Sequence, residues 1–89
     1  MREVYWGTTR LTAQDGRPLS CRYTILIRTC PPPLYCESYG IRVTLTETGE
    51  QAAIPDLTVV QDRITQLADQ LIRCQVTPCA LRDVIDDWL

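Results

Sequence analysis

Between Leu19 and Arg28 apolar and polar positions alternate: Cys21, Tyr23, Ile25 and Ile27 fall in one phase, Ser20, Arg22, Thr24 and Arg28 in the other. A period of two marks a strand with one buried and one solvated face. Leu26 interrupts the polar row, and a single exposed leucine on such a face is ordinary. The alternation returns at 38–46, where Tyr39, Ile41, Val43 and Leu45 oppose Arg42, Thr44 and Thr46. Residues 3–12 are rich in β-branched and aromatic side chains, which also predicts a strand. Its phase slips: Val4 and Trp6 share one face and Leu11 belongs to the other. A bulge at Gly7 reconciles them, because an interior glycine often marks one. Asp15-Gly16 supplies the turn to 19–28, and Thr48-Gly49 the turn to a short strand at 50–54 that Pro55 should end. Strands at 3–12, 19–28, 38–46 and 50–54, joined mostly by short turns, predict an antiparallel meander.

After Asp56 the period changes. Val60, Ile64, Leu67 and Leu71 recur at helical spacing with Ala68 and Ile72 beside them, while Asp62, Gln66, Asp69, Gln70 and Arg73 fall mainly elsewhere. Asp69 and Arg73 stand one helical turn apart. Thr58 followed by Gln61 has the pattern of a capping box, so the helix is expected over 58–73. A second helix is expected over 78–88, with Thr77 as N-cap, Pro78 in the first turn and a stripe of Leu81, Val84, Ile85, Trp88 and Leu89. The short Cys74-Gln75-Val76 connection makes the two a helical hairpin. Helices this short are unstable alone in water, and one sheet face also needs cover. The expected fold is therefore α+β, of order ββββαα: a four-stranded antiparallel meander with a C-terminal helical hairpin packed on one face, in a single domain spanning 1–89.

Composition narrows the function more than it defines it. The 89 residues suffice for one modest core. A net charge of −2 argues against a dedicated binder of nucleic acid or anionic membrane. Histidine is absent, which removes the commonest general base and metal ligand. No nucleophile is paired with a base and no glycine-rich phosphate loop is present, so neither an enzyme nor a cofactor is expected. With no apolar run of bilayer-spanning or signal-peptide length, the expectation is a soluble cytoplasmic protein.

Four groups of residues remain as candidate chemistry. The stretch Pro31-Pro32-Pro33-Leu34-Tyr35 is either a stiff docking loop, with Pro32, Leu34 and Tyr35 as contacts, or simply a rigid crossing between strands. Asp83, Asp86 and Asp87 form a carboxylate cluster near a helix C-terminus, where the dipole disfavours them. Hard cations want six or more oxygens, so a solvated face or an electropositive partner suits the three better than a metal. Arg22, Arg28 and Arg42 share the outer sheet face, in the layout of a sheet-based RNA platform. Such platforms stack bases on exposed aromatics, whereas Tyr23 and Tyr39 fall in the core phase. The five cysteines, Cys21, Cys30, Cys36, Cys74 and Cys79, are odd in number and come without an export signal, so they are expected to be small, reduced and buried. A zinc site of Cys30, Cys36, Cys74 and Cys79 is the alternative, at spacings looser than the usual knuckle.

Val76-Thr77-Pro78 with Leu81-Arg82-Asp83-Val84-Ile85-Asp86-Asp87-Trp88-Leu89, together with Tyr39-Gly40-Ile41 and Ile54-Pro55-Asp56-Leu57, resembles a family of short proteins from clostridia-type bacteria, a domain of unknown function. The resemblance covers roughly the last fifty residues. It leads one to expect a histidine just before Leu81, where this chain has Ala80, so any chemistry of that histidine is missing here. It implies a small bacterial cytoplasmic protein and supplies no activity. The expected function is a non-enzymatic, regulatory protein that binds another protein. A single-stranded nucleic-acid binder using the arginine face is the alternative, and a cysteine-bound zinc module the third reading. A homodimer also stays open, because a meander leaves edge strands exposed.

Overall fold

The alternating phases close into one antiparallel sheet of order β1-β2-β3-β4 in the computed structural model, which describes residues 1–33 and 35–89. The strands are β1 (Arg2–Thr12), β2 (Pro18–Thr29), β3 (Glu37–Leu45) and β4 (Gln51–Thr58); two helices follow, α1 (Gln61–Arg73) and α2 (Leu81–Trp88), the latter entered through a 3₁₀ turn at Pro78–Ala80.

The phase slip in β1 is resolved as expected. Val4 pairs with Ile25 and Tyr5 with Thr24, then the register shifts and Gly7 pairs with Tyr23. The extra residue, Trp6, lets Val4 on one side of the bulge and Leu11 on the other both turn to the helices. A β-carbon at Gly7 would stand 2.7 Å from Ile72 Cδ1, so the glycine also lets α1 lie close to the sheet.

A second, larger irregularity joins β3 to β4. Tyr39 pairs with Thr58 and Ile41 with Ile54, so Pro55, Asp56 and Leu57 together oppose Gly40. The strand therefore does not end at Pro55 but runs on to Thr58. Proline is tolerated because β4 is an edge strand and the residue sits in a bulge, where no ladder hydrogen bond is required of it. Gly40 is indispensable there: a β-carbon would fall 2.4 Å from the Ile54 carbonyl oxygen and 2.5 Å from Pro55 Cα.

This longer strand displaces the helix start. Thr58 ends β4, and its hydroxyl accepts the Val60 N–H at 3.1 Å instead of capping a helix. The expected capping box does not form; α1 begins at Gln61 with Val60 in the N-cap position and no side-chain cap. The second helix occupies its expected span but opens as a 3₁₀ turn. Thr77 makes no side-chain cap there, and its hydroxyl lies 3.4 Å from Cys79 Sγ.

Both helices cover the same sheet face. Tyr23, Ile41, Ile64, Leu67, Leu71, Leu81 and Ile85 are almost fully buried in one cluster, with Val84 and Trp88 packed at its margin. Tyr23 donates its hydroxyl to the Val76 carbonyl at 2.9 Å, which pins the interhelical connection to the sheet and satisfies a buried polar group. α2 folds back so that the Arg63 guanidinium lies 4.5 Å over the Trp88 ring. Asp69, set by its spacing to pair with Arg73, accepts the Trp6 indole N–H at 2.8 Å and ties α1 to β1.

Leu26 departs from expectation: it is 5% exposed although it points away from the helices. It lies between Glu3 on one neighbouring strand and Gly40 on the other. The Glu3–Arg42 ion pair bridges β1 and β3 beside it, and the bulged Pro55 presses on Gly40. Neighbouring chain, not a second layer, keeps it dry.

Candidate functional site

The outer sheet face is the first place where predicted site residues meet. It holds an open hollow of about 570 Å³, lined in part by Glu3, Tyr5, Arg22, Thr24 and Arg42. Arg42 sits two strands from Glu3, and its guanidinium reaches across β2 to grip both carboxylate oxygens, with Nη1 3.3 Å from Oε2. The hydrogen bond from Arg42, reinforced by its charge, holds the Glu3 carboxyl below its usual range. Arg28 pairs with Asp56 at 3.0 Å, and Ser38 donates to the other oxygen of that carboxylate at 2.8 Å. Asp56 reaches them because it adopts φ 57 in the β4 bulge, a left-handed conformation that Asp tolerates better than most residues. Arg22 lies over the Tyr5 ring at 4.9 Å.

The three arginines thus share a face, but Arg28 and Arg42 are matched by carboxylates of the chain itself. Tyr5 is the residue that sequence reasoning missed. It is an exposed aromatic on this face, opposite Thr24. Its alternation with Val4 and Trp6 was the available signal, obscured by the bulge one residue later.

The second place is one end of the sheet. Arg2 pairs with Ile27, Thr29 with Glu37, and Tyr39 with Thr58. The start of β1, the loop between β2 and β3, and the Val59–Val60 approach to α1 therefore all lie at the same end. Pro31, Pro32 and Pro33 are exposed there, and Tyr35 is 77% exposed. Met1, Val4, Val59 and Val60 add exposed apolar surface at that end. Leu34, a predicted contact in this loop, lies outside the described residues. An ion pair between Arg2 and Glu37 joins β1 to β3 at the loop's base.

The cysteines divide differently from expectation. Only Cys21 is buried, and burial pushes its thiol up. Cys74 and Cys79 are exposed, because one follows the last turn of α1 and the other lies on the outer side of the 3₁₀ turn. Cys30 and Cys36 are half-buried at the two ends of the loop, where the Cys30 N–H donates to the Cys36 carbonyl at 2.7 Å. The Cys30 thiol is held above its usual range, first by its hydrogen-bonding interaction with the Cys36 thiol and then by burial. Among the described residues no three His, Cys, Asp or Glu side chains come together as a metal site, so Cys30, Cys36, Cys74 and Cys79 are not assembled around one centre. Asp83, Asp86 and Asp87 remain exposed along α2; Asp87 lines an open hollow with Gln70, Cys74 and Trp88.

Fold and surfaces define a two-layer α+β protein: a four-stranded antiparallel meander with a helical pair on one face and an open face opposite. The chain matches the Family of unknown function (DUF6514) over residues 2–89, and it belongs to that family. The match is not confined to the last fifty or so residues, where the resemblance was read, but takes in the strands as well. No match to it was found among curated proteins or among solved structures. Among the described residues no helix is long and apolar enough to cross a membrane.

Proposed function

We propose that this is a small non-enzymatic protein that binds another protein through the end of the sheet carrying Pro31–Pro33 and Tyr35. The supporting observation is the gathering of Met1, Val4, Tyr35, Val59 and Val60 as exposed apolar side chains at one end of the molecule. Exposed apolar side chains scattered singly need no explanation, whereas several gathered at one end of a molecule suit an interaction surface. A proline-rich loop adds stiffness, so little conformational entropy is lost when Tyr35 docks. A cytoplasmic location in clostridia-type bacteria belongs to the same proposal.

The test is affinity capture from host extract with the wild-type chain, a Tyr35→Ser/Val59→Ser chain, and a chain with Asp83, Asp86 and Asp87 changed to Arg. A partner retained by the wild type and by the arginine chain but lost by the Tyr35/Val59 variant supports the reading. Equal recovery by all three, or none above background, overturns it. The Tyr5–Arg22 stack is the one observation favouring a single-stranded nucleic-acid binder. That reading requires salt-sensitive oligonucleotide binding that Arg22→Glu abolishes.

A further inference from the structure

We propose that Cys30 and Cys36 form a reversible thiol–disulfide pair that closes the base of the Pro31–Tyr35 loop. Its chemistry stands independently; its consequence for docking rests on the function proposed above.

The placement comes from the hairpin. Thr29 and Glu37 are the last paired residues of β2 and β3, so Cys30 and Cys36 are the next residues opposite one another. The hydrogen bond from the Cys30 N–H to the Cys36 carbonyl, at 2.7 Å, continues the pairing one step into the loop. Residues opposed in this way have α-carbons about 5.5 Å apart, within the 4.4–6.8 Å or so that a disulfide spans. Both cysteines are partly open to solvent, so a small oxidant has access. Cys74 and Cys79 are exposed without such pairing, and Cys21 is buried.

A low-molecular-weight disulfide is the co-reactant. One cysteine thiolate attacks a sulfur of the small disulfide, breaking its S–S bond, forming a mixed disulfide and releasing one small thiolate, which takes up a proton. The second cysteine, as thiolate, attacks the protein sulfur of that mixed disulfide, forms the Cys30–Cys36 bond and releases the second small thiol. The protein loses two thiol hydrogens and is oxidised; the small disulfide is reduced to two thiols. Around Cys30, the Cys36 thiol and the Asp56 carboxylate favour the protonated form and Arg28 the thiolate, with burial adding to the former. Attack by Cys30 should therefore be slow at neutral pH and quicken as pH rises, up to about tenfold per unit while its thiolate is the minor form.

The test uses the full chain with Cys74→Ser and Cys79→Ser, exposed to oxidised glutathione, then alkylated and weighed intact. The expected product is a monomer that has lost two alkylatable thiols, carries no glutathione, maps as Cys30–Cys36 and reverts with dithiothreitol. Adding Cys36→Ser should halt the reaction at a stable glutathione adduct on Cys30, and adding Cys30→Ser should give the reciprocal adduct on Cys36. Glutathione retained at both cysteines, chains linked to one another, or two thiols still free would overturn the pairing. Oxidised and reduced chains are then compared for partner capture. Equal capture removes the regulatory consequence while the thiol result stands, and no capture by either removes the docking proposal alone.

Discussion

Gly40 shows how much one absent β-carbon can decide. Three residues of β4 fold against it, and the atoms a side chain would strike, the Ile54 carbonyl and Pro55 Cα, are backbone and cannot step aside. Gly40→Ala should destabilise the protein by about 3 kcal/mol or more, since relief requires moving a strand. Gly7 is the contrast. Its added methyl would meet only the tip of Ile72, a side chain with other rotamers, so Gly7→Ala should cost about 1 kcal/mol. Urea denaturation of the two variants reads the difference, and equal losses would contradict the bulge geometry. Neither role was legible at either position beforehand in full: a bulge could be guessed at Gly7 from the phase of Val4 and Leu11, whereas nothing near Gly40 announces that Pro55 will lie against it.

The element scale concerns how strands and helices hold one another. Ile41 and Leu67 are fully buried on opposite sides of the sheet–helix interface. Ile41→Asp or Leu67→Asp would strand a charge in the core and should remove about 4 kcal/mol or more, comparable to the whole stability of a small domain. Trp88, at the margin of the core, should lose less on truncation to Ala, about 2 kcal/mol. Thermal melts that stay at the wild-type midpoint would dismiss the packing. Glu3 links β1 to β3 by electrostatics. Its folded carboxyl titrates below the ordinary value of 4.5 because of Arg42. The stability it contributes is therefore complete above that value and drains away as pH falls through the lower folded value. Glu3→Gln should lag the wild type at neutral pH and draw level in acid. A constant gap across the titration would mean the pair does not form in solution.

For the whole molecule, function turns on surfaces that folding leaves uncovered. Tyr35 and Val59 stand outside the core cluster, so Tyr35→Ser and Val59→Ser should leave the melting temperature within about 2 °C of wild type while lowering partner capture. A large fall in melting temperature would show these residues to be structural. The outer sheet face reads differently. Its arginines are largely matched by Glu3 and Asp56, so what looks basic along the chain is close to neutral in space.

Period alone decided the class of this protein. Alternation in Cys21–Ile27 and Tyr39–Leu45 and helical recurrence in Ile64–Leu71 are local repeats, and each can bury its apolar face in only one way once the others are present. That is why the order of elements, the single sheet and its covered face could be read from residues in sequence. Tertiary structure decided what depends on residues far apart in the chain meeting. The bulge of Pro55–Leu57 over Gly40 carried β4 past its expected end, spent Thr58 on a turn instead of a helix cap, and brought Asp56 to Arg28. The same long-range meetings covered Leu26, put Cys30 opposite Cys36 and drew Met1, Tyr35, Val59 and Val60 to one end. None of these follows from a local pattern, because each depends on strand register, which is set by packing across the whole sheet.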